Sequence, residues 1–366
     1  MFICYISTSR TWRGGESQLL YLLNYIKNAG ISLVLICPNA SPLYHKAKVK
    51  KIPVKGIPRY ASLLISLWTL LRLKITQNNI LFHANDSAAH TLLILVNLFI
   101  KIPFLVHRRV NFKKKKKHLT LYKYNHPQLK ALICVSKSIL NMQKPILKRN
   151  LSTVIYDSIN IDEYTIKSSE TNLLTTHNIK KSQKIIANIS ALTHEKDHIT
   201  YVKMANLVLK KRKDIHFFII GKGPEEKKIK ELIQTMRLGK WITLTGFRDD
   251  IKEILRTIDS IVITSKEEGL NSSILEAFAS NCPVVATDAG GIPELIKHEK
   301  TGLLSPIENP EALAKNLLRL LENTTLKNNI IKQARAYVEE FDISKIGHKT
   351  LRLYKEIEKK THNYST

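Results

Sequence analysis

The feature that most constrains the fold is a repeated alternation of short apolar runs with segments of helical periodicity. The runs MFICYIS (residues 1–7), ISLVLICP (31–38) and IPFLVHRRV (102–110) have the length and β-branched content of buried strands. Between the first two, ESQLLYLLNYIKNAG (16–30) spaces its apolar residues as a helix does and stops at Gly30. Such alternation predicts βαβ units, with a parallel sheet covered by helices on both faces.

The alternation pauses once. Residues 164–182 are polar and rich in Ser, Thr and Asn, and strand-like runs resume with KIIANIS at 184–190. A chain of 366 residues favours two domains. We therefore predict an N-terminal Rossmann-like domain at 1–165, a linker at 166–182 and a second Rossmann-like domain at 183–345. Residues 346–366 are expected to form a helix that packs back on the first domain. Two such domains place a ligand cleft between them, at the carboxyl ends of their strands.

Charge is distributed unevenly along the chain. Residues 1–150 contain 25 Lys and Arg but only two acids, Glu16 and Asp86, whereas residues 151–366 contain 33 basic and 28 acidic residues. A half so basic, with five consecutive lysines at Lys113–Lys117, is expected to face a membrane surface, a nucleic acid or a phosphorylated substrate. Basic clusters gain about 1 kcal/mol per charge on anionic lipid. No nucleic-acid-binding motif accompanies the charge, so we expect an anionic membrane and no nucleic acid.

No stretch has the length and apolarity of a transmembrane helix, and the first residues lack the pattern of a secretion signal. We therefore expect a cytoplasmic protein, held peripherally on the inner face of the cell membrane.

The stretch SKEEGLNSSILEAFASNCPVVATDAGGIPEL (265–295) allows two interpretations. Ser273 and Glu276 have the Ser-x-x-Glu spacing of a capping box, which would only start a helix. The same geometry suits a ligand, because a helix N-terminus attracts a diphosphate and a carboxylate can accept hydrogen bonds from ribose hydroxyls. Glu268, on the preceding loop, would then reach the next part of the ligand. The spacing alone leaves both open.

Motifs elsewhere favour the ligand site, with which the capping box can coexist. The stretch resembles the retaining GT-B glycosyltransferases of the family-4 type (glycosyl transferases group 1), as do other segments in the same order. These are RGGESQLLYLL (13–23), ALICVSKSI (131–139), VIYDSINIDEY (154–164), HEKDH (194–198), FIIGKGPEEKKI (218–229) and LTGFRDDI (244–251). The resemblance covers nearly the whole chain. It implies an α/β protein of the GT-B fold, with two Rossmann-like domains whose parallel sheets face across an interdomain cleft.

The resemblance also implies roles for individual residues. Glu276 would bind the nucleotide ribose, Glu268 the hydroxyls of the donor sugar, and Lys196 the leaving diphosphate, with Glu268 also a catalytic candidate. The full donor-binding set is Gly14, Gly15, Lys196, Gly246, Phe247, Arg248, Glu268, Gly269, Leu270, Asn271, Ser272 and Glu276. The substrate would be a nucleotide-diphosphate sugar, and neither a metal nor a further cofactor is implied.

Four departures from the family pattern stand out. Ala191 replaces an arginine of the phosphate loop, so that Lys196 would act alone or with Arg248. Leu270-Asn271 replaces Phe-Gly, and Asp157-Ser158 replaces Asn-Gly. The histidine that faces the sugar in the family is expected six residues after Pro103, where this chain has Arg109; His107 lies two residues earlier. Residues two apart share a strand face, so both His107 and Arg109 are catalytic candidates.

The sequence therefore predicts a retaining glycosyltransferase that performs hexosyl or other glycosyl transfer. Its acceptor would be a cell-envelope glycan or a lipid-linked glycan, in lipopolysaccharide, capsule or related polysaccharide biosynthesis. A nucleotide-sugar 2-epimerase of the same fold and a basic nucleic-acid-binding protein are the alternatives. An NAD site is disfavoured, because GKGPEE lacks the last glycine of the dinucleotide fingerprint. No metal-ligand spacing is present.

Overall fold

The computed structural model describes residues 1–58, 62–77, 79–110, 118–165, 173–180 and 182–362. The chain forms two compact units: Met1–Ser158 with the segment that begins at Ile343, and Ile159–Asp342. The lysine run Lys113–Lys117 and residues 166–172 of the expected linker lie outside the described residues.

The described part of the first unit contains one seven-stranded sheet, with strand order β3-β2-β1-β4-β5-β6-β7 and every pairing parallel. Its strands are Phe2–Ile6 (β1), Leu33–Pro38 (β2), Val54–Ile57 (β3), Ile80–Ala84 (β4), Phe104–Arg108 (β5), Leu129–Cys134 (β6) and Ser152–Val154 (β7). The helices between them are Gly14–Asn28 (α1), Pro42–Val49 (α2), Ser62–Thr76 (α3), Ser87–Val96 (α4), His118–Tyr124 (α5) and Lys137–Gln143 (α6). The strand order reverses between β1 and β4, which makes this the switch point where such sheets bind ligands.

The described part of the second unit contains a six-stranded parallel sheet, ordered β10-β9-β8-β11-β12-β13. Its strands are Lys184–Ile189 (β8), Ile215–Ile220 (β9), Ile242–Gly246 (β10), Ser260–Ile263 (β11), Val284–Thr287 (β12) and Leu303–Ser305 (β13). Its helices are Asp162–Thr165 (α7), Leu173–Thr176 (α8), His198–Lys211 (α9), Glu226–Thr235 (α10), Ile251–Thr257 (α11), Ser272–Ala279 (α12), Ile292–Leu295 (α13), Pro310–Glu322 (α14) and Thr324–Val338 (α15). Strand β9, IHFFII, is buried along its whole length, as a central strand covered on both faces must be.

The last helix, Ile343–His362 (α16), belongs to the first unit and packs on α1. Its Gly347 lies so close to α1 that a Cβ there would come 2.3 Å from the Tyr25 ring. Residues 159–164 belong to the second unit, where the Ile159 amide donates to the Phe341 carbonyl (2.9 Å). The first unit therefore ends before residue 159, earlier than the limit of 165 expected from the sequence.

Candidate active site

Glu268 lies in the loop after β11, and its carboxylate is held from three directions. Its Oε1 accepts hydrogen bonds from Ser265 Oγ (3.0 Å) and from Asn271 Nδ2 (2.8 Å), and it forms an ion pair with Lys196 Nζ. The Glu268 residue is only 7% exposed. A carboxylate at this depth requires such compensation, and here the compensation also fixes its orientation.

Lys196 reaches Glu268 from the loop after β8, where residues His194–Lys196 form a single 3-10 turn before α9. Two hydrogen bonds tie this loop to the one after β11. Thr264 Oγ1 donates to the Lys196 carbonyl (2.9 Å), and the Lys266 amide donates to the Glu195 carbonyl (2.8 Å). The structure therefore brings Lys196 and Glu268 together at the carboxyl ends of adjacent strands, β8 and β11.

The glycine pair Gly290-Gly291 supports the same loop from the end of β12. A Cβ on Gly290 would lie 2.1 Å from the Glu268 carbonyl oxygen, and one on Gly291 would lie 2.1 Å from the Gly269 carbonyl oxygen. Gly290 also has a φ of +54°, which disfavours a side chain. Glycine at these positions allows two backbone segments to touch, and this contact sets the position of the Glu268 loop.

Helix α12 starts differently from the sequence prediction. Its N-cap is Asn271, which has a φ of +75° and makes no side-chain cap hydrogen bond, and the helix begins at Ser272. The predicted capping box between Ser273 and Glu276 is therefore wrong, since Glu276 lies in the second turn. The left-handed Asn271 turns its own amide toward Glu268 instead. The first N–H groups of α12 keep no partner within the helix, as at any helix N-terminus.

Glu276 is half-buried on α12, and its carboxylate makes no hydrogen bond or ion pair with the described residues. Burial raises the pKa of the Glu276 carboxyl to about 7, although the charge of Lys252 opposes the shift. A carboxyl group that is desolvated without a protein partner is destabilised when it ionises. Hydroxyl donors from a ligand would relieve that destabilisation.

Gly246, Phe247 and Arg248 follow β10. Gly246 has a φ of +74°, and its carbonyl accepts the amide of Gly221 (2.9 Å). Phe247 is 50% exposed. The Arg248 guanidinium binds the Asp250 carboxylate through Nε (2.7 Å) and an Nη (2.5 Å), so the cation suggested to replace the arginine missing at Ala191 is already paired.

The first unit has its own polar cluster. Gly14 and Gly15 form the first turn of α1. The Arg109 side chain lies against this turn, because a Cβ on Gly15 would be 3.4 Å from Arg109 Cδ. Arg109 forms an ion pair with Asp157, and its other Nη lies 3.2 Å from His107 Nδ1. The two catalytic candidates of this unit are therefore neighbours in one cluster.

Three residues of this cluster were not predicted from the sequence. His83, on β4, stacks on His107 with ring centroids 5.6 Å apart. Its Nδ1 lies 2.6 Å from the Tyr354 hydroxyl of α16, which in turn lies 2.7 Å from the Tyr5 hydroxyl of β1. Burial, followed by the charge of Arg109, holds the pKa values of both histidines well below their usual range. The only sequence signal was a histidine within the short apolar run ILFHA.

Metal ligands do not cluster in the part of the chain that the structure describes: no group of three or more His, Cys, Asp or Glu side chains could hold an ion.

Two α/β units with wholly parallel sheets define the GT-B class of fold, and solved structures agree. A crystal structure of Anabaena Alr3699/HepE in complex with UDP and glucose matches with a TM-score of 0.85, covering 97% of this chain and 100% of that chain at 19% identity. Residues 169–337, most of the second unit, match the family described as Glycosyl transferases group 1. This match confirms the resemblance that was inferred from the motifs.

Curated relatives are similar over different lengths. N-acetyl-alpha-D-glucosaminyl L-malate synthase of Bacillus anthracis is 28% identical over 62% of this chain, and the chain spans only 59% of that protein. The UDP-Gal:alpha-D-GlcNAc-diphosphoundecaprenol alpha-1,3-galactosyltransferase of Escherichia coli is 25% identical over 93% of both chains.

Proposed function

We propose that the protein is a retaining glycosyltransferase, which moves a sugar, a hexose or another glycosyl group, from a nucleotide-diphosphate donor to a cell-envelope glycan or a lipid-linked acceptor. The observation that supports this most directly is the arrangement in the second unit. Glu268 and Lys196 are paired at the strand ends, α12 begins four residues after Glu268, and Glu276 lies partnerless on that helix.

The donor would bind through complementary charge. Lys196 and the N-terminus of α12 both favour an anion, which suits the diphosphate. When the diphosphate arrives, it competes with Glu268 for Lys196, and the freed Glu268 oxygen can accept a sugar hydroxyl. Ribose hydroxyls would provide the donors that Glu276 lacks.

Transfer requires stabilisation of the charge that develops on the departing diphosphate. A fixed cation and helix N–H groups provide this electrostatically without a metal ion. We favour a mechanism in which the departing phosphate helps to remove the proton of the acceptor, so that the anomeric configuration is retained. We do not favour Glu268 as a covalent nucleophile, because its Oε1 already accepts hydrogen bonds from Ser265 and Asn271.

The acceptor proposal rests on charge and on one relative. The Escherichia coli relative that matches nearly the full length acts, by its name, on a diphosphoundecaprenol-linked sugar. Such an acceptor lies at a membrane, where the basic first half of this chain would be attracted. No described helix is both long and apolar enough to cross a bilayer.

The first unit also exposes apolar side chains on neighbouring helices. Helix α3 packs on α4, and α4 packs on α5. Exposed apolar residues on these helices or directly after them, which we name the α3–α5 surface, are Trp68 (57% exposed), Leu98 (65%), Phe99 (74%) and Leu119 (66%). The exposed cations Arg72 and Lys101 are close to them in sequence. Aromatic and aliphatic groups beside cations suit the interface of an anionic bilayer. We therefore propose peripheral attachment to the inner face of the cell membrane through this surface.

The donor site is tested by thermal shift with UDP-, GDP- and ADP-sugars. One of these should stabilise the wild type, since ligand at 100 times Kd adds about 2.7 kcal/mol. Glu276→Ala should lose the response, whereas Glu267→Ala, which alters an exposed carboxylate nearby, should keep it. An equal response in both variants would refute the site. Release of free sugar without an acceptor would contradict transfer and favour an epimerase.

The membrane proposal is tested by sedimentation with vesicles. The protein should pellet with vesicles that contain phosphatidylglycerol and not with phosphatidylcholine alone. Phe99→Ser should weaken binding, whereas Ile307→Ser, at an exposed apolar position of the second unit, should not. Equal binding by the two variants would remove the α3–α5 surface from the proposal.

A further inference from the structure

Two of the departures from the family pattern meet in one contact. Arg109 and Asp157 form an ion pair, and their side chains are only 12% and 11% exposed. Asp157 is held in place through its neighbour: the Ser158 amide donates to Gln18 Oε1 (2.7 Å), and Gln18 Nε2 donates to the Ser158 carbonyl (2.8 Å). Each charge compensates for the burial of the other, so neither change would be tolerated alone.

The contact between Arg109 and His107 determines which ring nitrogen of His107 carries the proton. A guanidinium has only donors, so Arg109 Nη2 donates to His107 Nδ1 across 3.2 Å. His107 Nδ1 must therefore be the unprotonated nitrogen. Burial and the charge of Arg109 lower the pKa of His107, which keeps the ring neutral. A neutral ring that accepts at Nδ1 carries its hydrogen on Nε2.

The Nε2–H group of His107 is buried and finds no hydrogen-bond partner among the described residues. A buried donor of this kind costs about 1–3 kcal/mol, and folded proteins rarely keep one without a purpose. His107 lies near the carboxyl end of β5, beside β4 and the point where the strand order reverses. Arg109 itself packs against Gly15, in the turn that opens α1 after β1. Ligands of open parallel sheets bind at this position.

We propose that Arg109 is a positioning residue, which together with Asp157 holds His107 as an Nε2–H donor to a hydroxyl or ring oxygen of the sugar substrate. The ligand-contacting side chain is His107, and Arg109 acts through it. The sugar nature of the substrate rests on the proposed function, but the arrangement of Arg109, Asp157 and His107 does not.

The arrangement is tested first without substrate. Two-bond ¹H–¹⁵N correlation spectra of protein with ¹⁵N-labelled histidine distinguish the two neutral tautomers, and the spectrum of His107→Gln identifies the His107 signals. In the wild type, the His107 signals should be those of the Nε2–H tautomer alone. The double variant Arg109→Met/Asp157→Asn removes both charges together, so it buries no unpaired ion. In this double variant, the His107 signals should show a mixture of the two tautomers. Urea denaturation should show that the N-terminal unit is still folded. A wild-type Nδ1–H signal, or an unchanged signal in the double variant, would overturn the positioning role.

The ligand contact is tested with two substitutions of His107. Glutamine places an N–H donor near the position of Nε2, whereas asparagine reaches only the position of Nδ1. We expect His107→Asn to lower kcat/KM about tenfold or more, the effect of one lost hydrogen bond, and His107→Gln to recover most of it. Equal losses would refute donation from Nε2. If the wild type neither binds nor transfers from any nucleotide sugar, the proposed function fails, and the tautomer spectra still decide the role of Arg109.

Discussion

Replacing Glu276 by glutamine should stabilise the protein in alkaline solution, although it removes a proposed ligand contact. Burial raises the pKa of Glu276 from 4.5 to about 7 in the folded protein. Below pH 4.5 the carboxyl is protonated in both states and does not oppose folding. As the pH rises above 4.5, the unfolded chain releases this proton and the folded chain keeps it, so the free energy of unfolding falls. Above pH 7 the carboxyl is ionised in both the folded and the unfolded state, and the free energy of unfolding stays lowered by the full amount.

The size of the destabilisation caused by Glu276 follows from the same two pKa values. At about 1.4 kcal/mol per pH unit, the destabilisation is at most about 3.4 kcal/mol at pH 8.5 and about 0.8 kcal/mol at pH 5. Because Glu276 is only half-buried, solvent screening will reduce both values. Glutamine keeps the shape and cannot ionise. The stability gained by Glu276→Gln should therefore be larger at pH 8.5 than at pH 5, by up to about 2.5 kcal/mol.

Urea denaturation at the two pH values measures this difference. Glu267→Gln is the matched control, since it removes the same charge from an exposed position on the neighbouring loop. It should change stability little and equally at both pH values. If Glu276→Gln gives the same change at pH 5 and pH 8.5, then Glu276 is not desolvated and our account of the carboxyl is refuted.

The same carboxyl should make donor binding depend on pH. Ribose hydroxyls that donate to the ionised form would lower its pKa, so the affinity of the wild type should fall up to about tenfold per pH unit below pH 7. Glu276→Gln should bind weakly and without this dependence. Isothermal titration at pH 6 and pH 8 measures both, and a pH-independent wild-type affinity would contradict the proposed ribose contact.

Two glycine substitutions test contacts that position the candidate site. Gly290→Ala should reduce donor affinity, because its Cβ would lie 2.1 Å from the Glu268 carbonyl and must displace that loop. Gly239→Ala, where nothing lies within 4 Å, should bind donor normally in the same titration, and equal binding by the two variants would refute the contact. Gly347→Ala should lower the free energy of unfolding by about 1–3 kcal/mol, since its Cβ would overlap the Tyr25 ring. A neutral or stabilising effect in urea denaturation would show that α16 packs less closely on α1.

Continuous apolar runs predicted β1, β2 and β5, because strands buried on both faces of a parallel sheet have nearly only apolar residues. Strand β4 was missed. Its sequence, ILFHA, is short and contains a histidine, and no local pattern distinguishes it from a loop. The capping-box spacing of Ser273 and Glu276 predicted the wrong start for α12, because the N-cap is Asn271 in a left-handed conformation. The side chain of Asn271 donates to Glu268, a contact that the local sequence pattern does not show.

The candidate site divides in the same way. Glu268, Lys196 and Glu276 were assigned to the site from motifs that resemble those of a family, and the structure pairs two of them, Glu268 and Lys196. The pair of Arg109 with Asp157 could not be predicted, since those residues are far apart in sequence and only the sheet brings them together. The sequence showed them as two separate departures, and a charge-matched contact is visible only in three dimensions.

The return of α16 to the first unit has a consequence for biosynthesis. Nascent domains generally fold in the order in which they leave the ribosome. Here the N-terminal unit emerges first but is completed last, after the whole of Ile159–Asp342 has been translated. Until then the face of α1 that receives Gly347 is uncovered, and His83 lacks the hydroxyl of Tyr354. A prematurely released chain would therefore carry a finished second unit beside an N-terminal unit with exposed apolar surface, which is a substrate for chaperones and proteases.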